Sequence, residues 1–135
     1  MIEYTFVIIK PDAIERRLVG KIIGKLEALG ELIWIGTRNK GCEWVKQHYA
    51  GNPHLTEEMI DFMSDWLIGI VLSGDDIVAR VRQIVGSAVN PEPGTIRFDY
   101  GAKGFRNLIH AADLKEKAII EEALFMEAPN EQKNS

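Results

Sequence analysis

Two spacings of apolar residues alternate along this chain, and the switches between them mark its elements. Tyr4 to Ile9 is a run of aromatic and β-branched residues that predicts a strand, stopped at Lys10-Pro11-Asp12 because proline has no backbone N–H to give a ladder. Val19, Ile22, Ile23, Leu26 and Leu29 then recur at helical spacing, with Gly30 placed where a helix C-cap wants positive φ. Leu32 to Thr37 predicts a second strand. A short helix from Glu43 to Ala50 carries Trp44 and Tyr49 and is broken by Gly51-Asn52-Pro53. Thr56 caps a further helix with Met59, Ile60, Phe62 and Met63 on its apolar face. Trp66 to Leu72 is uninterruptedly apolar, as in a central strand buried on both faces. Asp75 or Asp76 caps a helix striped by Ile77, Val81, Ile84 and Val85 and closed by Gly86; Arg80 and Arg82 lie off that stripe. After an irregular stretch from Ser87 to Gly104, Asn107 to Ile109 reads as a short buried strand running into His110. A last helix extends from Asp113 to about Phe125, and 127–135 have the polarity of a frayed end.

The order β-α-β-α-α-β-α-loop-β-α is that of a ferredoxin-like α+β sandwich, a four-stranded antiparallel sheet with helices expected on one face. At 135 residues, with 46% hydrophobic and 27% charged, the chain is the size and balance of one globular domain spanning 1–135. A net charge of −4 argues against a general nucleic-acid or acidic-membrane binder and leaves room for a local basic pocket facing a small anion. Cys42 is the single cysteine and forms no internal disulfide, and His48, His54 and His110 lack the spacings of a zinc motif. The absence of a signal-like start and of a membrane-spanning apolar run implies a cytoplasmic protein.

Candidate chemistry gathers at the strand ends. His110 stands where a short strand gives way to a helix, beside backbone N–H groups that suit an anion. Lys10 ends the first strand, the place where open sheets carry ligand groups. The 87–104 stretch holds Pro91, Pro93, Gly94, Arg97, Gly101 and Gly104 and feeds directly into Asn107 and His110. A structureless loop of that length inside a compact domain is commonly functional, so loop and histidine are assigned to one site.

Five segments, VIIKPDAI, LVGKII, the pair His48-Tyr49, NPEPGTIRFDY and FRNLIH, fall in register over Thr5 to about Phe125 and resemble the nucleoside diphosphate kinase family. The resemblance implies transfer of the terminal phosphate from a nucleoside triphosphate to a nucleoside diphosphate by a ping-pong route, with His110 as the phosphorylated nucleophile and Glu121 as the carboxylate that orients it. It implies that Lys10, Tyr49, Arg82, Arg97 and Asn107 hold phosphates and ribose, that Leu55 and Met59 contact the base, and that Mg2+ is held mainly by the nucleotide phosphates rather than by protein side chains. It implies a homo-oligomer, a hexamer favoured. Ala111 and Ala112 stand where the family usually has glycine and serine, and Val89 stands where it usually has threonine. Those changes are the ground for the alternative, a nucleotide-binding regulatory protein of the same fold with weak or lost turnover.

Overall fold

A computed structural model describes residues 1–102 and 104–127. Its elements in chain order are β1 (Ile2–Ile9), α1 (Pro11–Glu15), α2 (Val19–Glu27), β2 (Glu31–Asn39), α3 (Gly41–His48), α4 (Glu57–Met63), β3 (Trp66–Asp75), α5 (Ile77–Val85), α6 (Ile96–Asp99), β4 (Ile109–Ala111) and α7 (Lys115–Glu127). The four strands form one antiparallel sheet in the order β2-β3-β1-β4, the expected ferredoxin-like arrangement. The expected frayed tail lies outside the described residues, except that Glu127 ends α7.

The helices are not confined to one face of the sheet. Val7, Ile9, Ile70, Leu72, Ile109 and Ala111 point to one side and pack on Ile22 and Leu26 of α2 and on Ile77, Val81 and Val85 of α5. Phe6, Ile8, Leu67 and Val71 point to the other, under Trp44 and Val45 of α3, Ile60 and Met63 of α4, and Ala118 and Phe125 of α7. The reason was already in the strands: Thr5 to Ile9 of β1 is buried without alternation, which a sheet with one wet face does not allow. Phe125 anchors α7, its ring 5.4 Å from Phe6 and 5.7 Å from Trp44. Gly69 is what lets it in, since a Cβ there would lie 2.6 Å from the Phe125 ring.

Most local signals give the elements they predict, with some differences. β4 is Ile109–Ala111 rather than Asn107–Ile109, so His110 lies inside the strand, because Leu108 at φ 76° keeps the chain before it out of the ladder; Pro11–Glu15 forms a short helix that the apolar pattern does not mark. Thr56 caps α4 by accepting from Met59 N–H at 3.2 Å, and Gly86 ends α5 at φ 91°, both as expected. Gly30, by contrast, is not a positive-φ cap; a Cβ there would meet the Ser73 carbonyl at 2.4 Å, so close approach of the α2–β2 turn to β3 is what requires glycine. Asp76 precedes α5 without a side-chain cap, and the Val78 N–H instead meets Glu3 Oε1 at 3.4 Å. The irregular stretch contains one helical turn, α6, capped by Thr95 Oγ1 accepting from Phe98 N–H. No helix among the described residues is long and apolar enough to cross a membrane.

Candidate active site

His110 faces its partners because of strand pairing. It sits opposite Ile8 in the β1–β4 ladder, so its side chain shares the face of Phe6 and Ile8, while Ile109 and Ala111 turn to the first apolar cluster. On α7, Ala118, Glu121 and Phe125 fall on one side of the helix, and burying Ala118 and Phe125 carries Glu121 to the end of the sheet. The result is a contact of 2.8 Å between His110 Nε2 and Glu121 Oε1. With Nε2 engaged, Nδ1 is the nitrogen left for chemistry.

The backbone before His110 is held in an uncommon shape. Leu108 has φ 76°, a region that costs a branched residue about 1–3 kcal/mol, and the Ile109 N–H reaches back to the Asn107 carbonyl at 2.9 Å in a γ-turn. Leu108 is clamped from both sides: its N–H donates to Asp12 Oδ2 at 3.1 Å and its carbonyl accepts from Lys10 N–H at 2.9 Å. Arg97 completes the brace. Its guanidinium donates to the carbonyls of Gly86 at 2.7 Å, Asn107 at 3.2 Å and Ile109, and to Asn107 Oδ1 at 3.2 Å. Asn107 Nδ2 donates in turn to the Gly104 carbonyl at 2.6 Å. Arg97 and Asn107 thus tie the loop to the strand that carries His110, and little of the guanidinium's five-donor capacity is left for a ligand.

A cavity of about 650 Å³ opens beside this brace, lined by Lys10, Tyr49, Met59, Arg82, Arg97, Asn107 and His110 among others. A second, of about 370 Å³, shares Tyr49, Arg82 and His110 and adds His48, Lys117 and Glu121. All the site residues expected from sequence therefore converge except Leu55, which packs on the second apolar cluster, while its neighbour His54 lines the large cavity. The two are adjacent across the α3–α4 break, where no periodicity says which residue faces inward. Ser87, the hydroxyl that could stand in for the threonine replaced by Val89, lines the large cavity, whereas the sequence gives no role to Asp12 or His48. The four-residue spacing of Trp44 and His48 on α3 is the signal for the last, since their rings stack at 4.9 Å.

Electrostatics sort these groups. Burial, and then the Arg97 charge, pull Lys10 down to about 7 against the opposing pull of Asp12. Burial, and then the charge of Arg82, lower Arg97 to about 10, so it stays cationic. Burial, and then Glu121, raise Tyr49 above the usual phenol range and keep it a hydroxyl donor. His48 is pushed down to about 2 by burial first, then by His110 and Lys10, and is neutral at any working pH.

The Lys10 shift makes a testable statement about ligand binding. In the empty site Lys10 keeps its proton only up to about pH 7, whereas a bound phosphate favours the ammonium. Binding of a nucleotide above that pH is expected to take up a proton and to weaken as pH rises. Calorimetry near pH 8 in two buffers of different ionisation heat reads this directly; equal heats in both would show that Lys10 is already charged.

A family model described as nucleoside diphosphate kinase matches residues 3–130. A protein of that name from Synechococcus elongatus is 40% identical over 130 residues, covering 91% of this chain and 87% of its own length. One from Acetivibrio thermocellus is 39% identical over 125 residues, covering 88% and 92%. The crystal structure of the nucleoside diphosphate kinase from Encephalitozoon cuniculi superposes with a TM-score of 0.85 at 34% identity, covering 92% of this chain and 88% of that one. The chain belongs to the nucleoside diphosphate kinase family.

Against that family pattern the local departures have definite surroundings. Ala112 is fully buried, with its N–H on the Phe6 carbonyl at 3.1 Å. Val89 is 84% exposed on the rim of the large cavity. Ser87, in the same lining, accepts from the Val89 and Asn90 N–H groups at 3.1 Å each, which leaves its hydroxyl proton available to a ligand.

Proposed function

We propose that this chain is an active nucleoside diphosphate kinase that moves the terminal phosphate of a nucleoside triphosphate to a nucleoside diphosphate through a phosphohistidine on His110. The observation that carries the reading is the His110 Nε2–Glu121 contact, with His110 itself in the lining of a cavity whose charged groups are cationic. Glu121 selects the tautomer with the proton on Nε2, so Nδ1 presents a lone pair and attacks the terminal phosphorus without a separate base. As the N–P bond forms, the bond from phosphorus to the leaving diphosphate oxygen breaks, and Glu121 steadies the positive charge that develops on the ring. Lys10 and Arg82 meet the charge on the peripheral phosphate oxygens, and Tyr49 offers its hydroxyl proton. In the second half-reaction the acceptor's terminal oxygen takes the phosphoryl group back along the same path.

Among the described residues the large cavity offers no carboxylate to a metal, and its charged groups are Lys10, Arg82 and Arg97. That donor set fits Mg2+ arriving on the nucleotide phosphates, because the ion prefers oxygen ligands and keeps several of its own waters. Bound there, it neutralises phosphate charge.

For the base, His54 and Met59 are the residues we assign, and Leu55 is withdrawn to a packing role. An imidazole is a smaller shelf than a benzyl ring, so His54→Phe is expected to tighten purine nucleotides by roughly 1–2 kcal/mol, within the range of single stacking contacts, with a smaller gain for pyrimidines. Fluorescent nucleotide displacement measures it, and an equal response to His54→Phe and Leu55→Phe would break the assignment.

Assembly into a homo-oligomer, a hexamer favoured over a bare dimer, belongs to the same proposal, as does a cytoplasmic location. The support in the structure is β2, an edge strand with Ile33 and Ile35 exposed at 47% and 45%.

Incubation with labelled ATP followed by removal of nucleotide should leave an acid-labile phosphate on the protein, and initial rates at several fixed acceptor concentrations should give parallel lines. Intersecting lines with no phosphoprotein would favour the regulatory reading, for which Ala112 and Val89 are the observations: neither offers a hydroxyl to a phosphate.

A further inference from the structure

His48 is the residue of this site for which the reaction has no use. Both of its ring nitrogens are buried and neither has a hydrogen-bond partner among the described residues, an arrangement that costs free energy unless a ligand is expected. Its ring lies edge-on to His110 with centroids 4.7 Å apart, fixed from behind by the stack on Trp44. Ligating atoms of His48, His110 and Glu121 all lie within 4.8 Å of one another, and the three residues line the same 370 Å³ cavity, which provides an entry path.

We propose that His48, His110 and Glu121 form a three-ligand site for Zn2+, and that filling it switches phosphoryl transfer off. Two imidazoles and one carboxylate are a donor set that suits a borderline dication and not Mg2+, which seeks oxygen. Zinc bonds of about 2.0–2.2 Å place neighbouring ligand atoms of a tetrahedron a little over 3 Å apart. The His110–Glu121 pair is already at 2.8 Å, so the remaining closure falls to rotation of the half-buried side chains. The dication takes the place of the proton shared by His110 Nε2 and Glu121 Oε1, His48 supplies the third bond, and water from the cavity completes the fourth position. His110 then has a metal drawing electrons from its ring and has lost Glu121 as the group that steadies its positive charge. Both changes act against attack on phosphorus.

The spacing of His48, His54 and His110 shows no zinc motif, and the three ligands proposed here lie far apart in sequence, on α3, β4 and α7. The fold brings them together. The switching half of the proposal rests on the kinase reading, and the metal-binding half does not.

The test uses metal-free full-length protein titrated with Co2+ as a visible reporter for Zn2+. The wild type is expected to develop the intense d–d absorption of a four-coordinate site with one metal per chain, displaced by Zn2+ and unaffected by excess Mg2+. His48→Phe keeps a ring against Trp44 and His110 but removes both ligand nitrogens; it should weaken Co2+ binding at least about 100-fold, beyond what loss of an outer partner costs. Labelled phosphate on the wild-type protein, measured after Zn2+ preincubation, should disappear and return on chelation. No Co2+ absorption in a wild type that forms the phosphoprotein would overturn the metal site and leave the kinase reading intact. Co2+ absorption of equal strength in His48→Phe would place the metal elsewhere and overturn the proposal too. Co2+ bound through His48 in a protein that forms no phosphoprotein under any condition would sink the kinase reading and the switch with it, while keeping the site.

Discussion

His110→Ala is expected to abolish the phosphoprotein and to lower turnover by at least about 10⁴-fold, to the level of nucleotide exchange without a covalent intermediate. No other side chain is set to replace it. His48 is the nearest imidazole, but it is packed on Trp44 with its nitrogens buried, and it lines the smaller cavity rather than the one assigned to the nucleotide. The fold should survive, because the histidine side chain is partly exposed and its loss leaves Glu121 able to reach water from the adjoining cavity. Nucleotide binding should also survive, since Lys10, Arg82, His54 and Met59 remain in place. Filter binding of labelled nucleotide and the phosphoprotein assay on the same preparation separate the two. Retained phosphoprotein in this variant would make His110 a bystander and return the chain to a regulatory role.

The second large effect belongs to Arg97, and it acts on stability and activity together. Arg97→Ala strips the donors from the Gly86, Asn107 and Ile109 carbonyls and from Asn107 Oδ1 in one step. Leaving a buried acceptor unmet costs about 1–3 kcal/mol each, and water entering the vacated space returns part of that. A net loss of several kcal/mol is expected, a large share of a typical domain's 5–15 kcal/mol, visible as a fall in Tm of about 10 °C or more. In the fraction that stays folded, kcat should fall more than KM rises, because the γ-turn at Leu108 that aims His110 is no longer held. Arg97→Lys is the informative control. A lysine keeps the charge and places its three donors at one point, so it cannot span three carbonyls. If it restored both Tm and kcat, charge on the phosphate would be the whole role of Arg97; if KM alone rose in Arg97→Ala, the residue would be a ground-state clamp.

The composition of strands and helices was legible in the chain because burial writes itself into local pattern. Phe6 to Ile9 and Leu67 to Leu72 are apolar without interruption, and the stripes of α2 and α5 repeat at helical spacing. The family was legible too, through segments in register, and with it His110, Glu121 and most of the cavity lining. Which side of the sheet each helix took was a different matter. An amphipathic helix states that it has an apolar face, and nothing in its own residues says which of two apolar sheet faces will cover it. Only packing decided that α3, α4 and α7 share the face of Phe6 and Ile8, and so decided that His48, His110 and Glu121 meet. The choice of His54 over Leu55 was likewise tertiary, because an irregular turn has no period from which an inward side can be read. The same holds for Arg97: the family resemblance made it one of the residues that hold phosphates and ribose, and only the carbonyls of Gly86, Asn107 and Ile109, brought around it by the sheet, made it the brace of the histidine strand. Local chemistry determined what each element could be, and the long-range contacts, whose partners are separated in sequence by whole elements, determined what each charged group had left to offer a ligand.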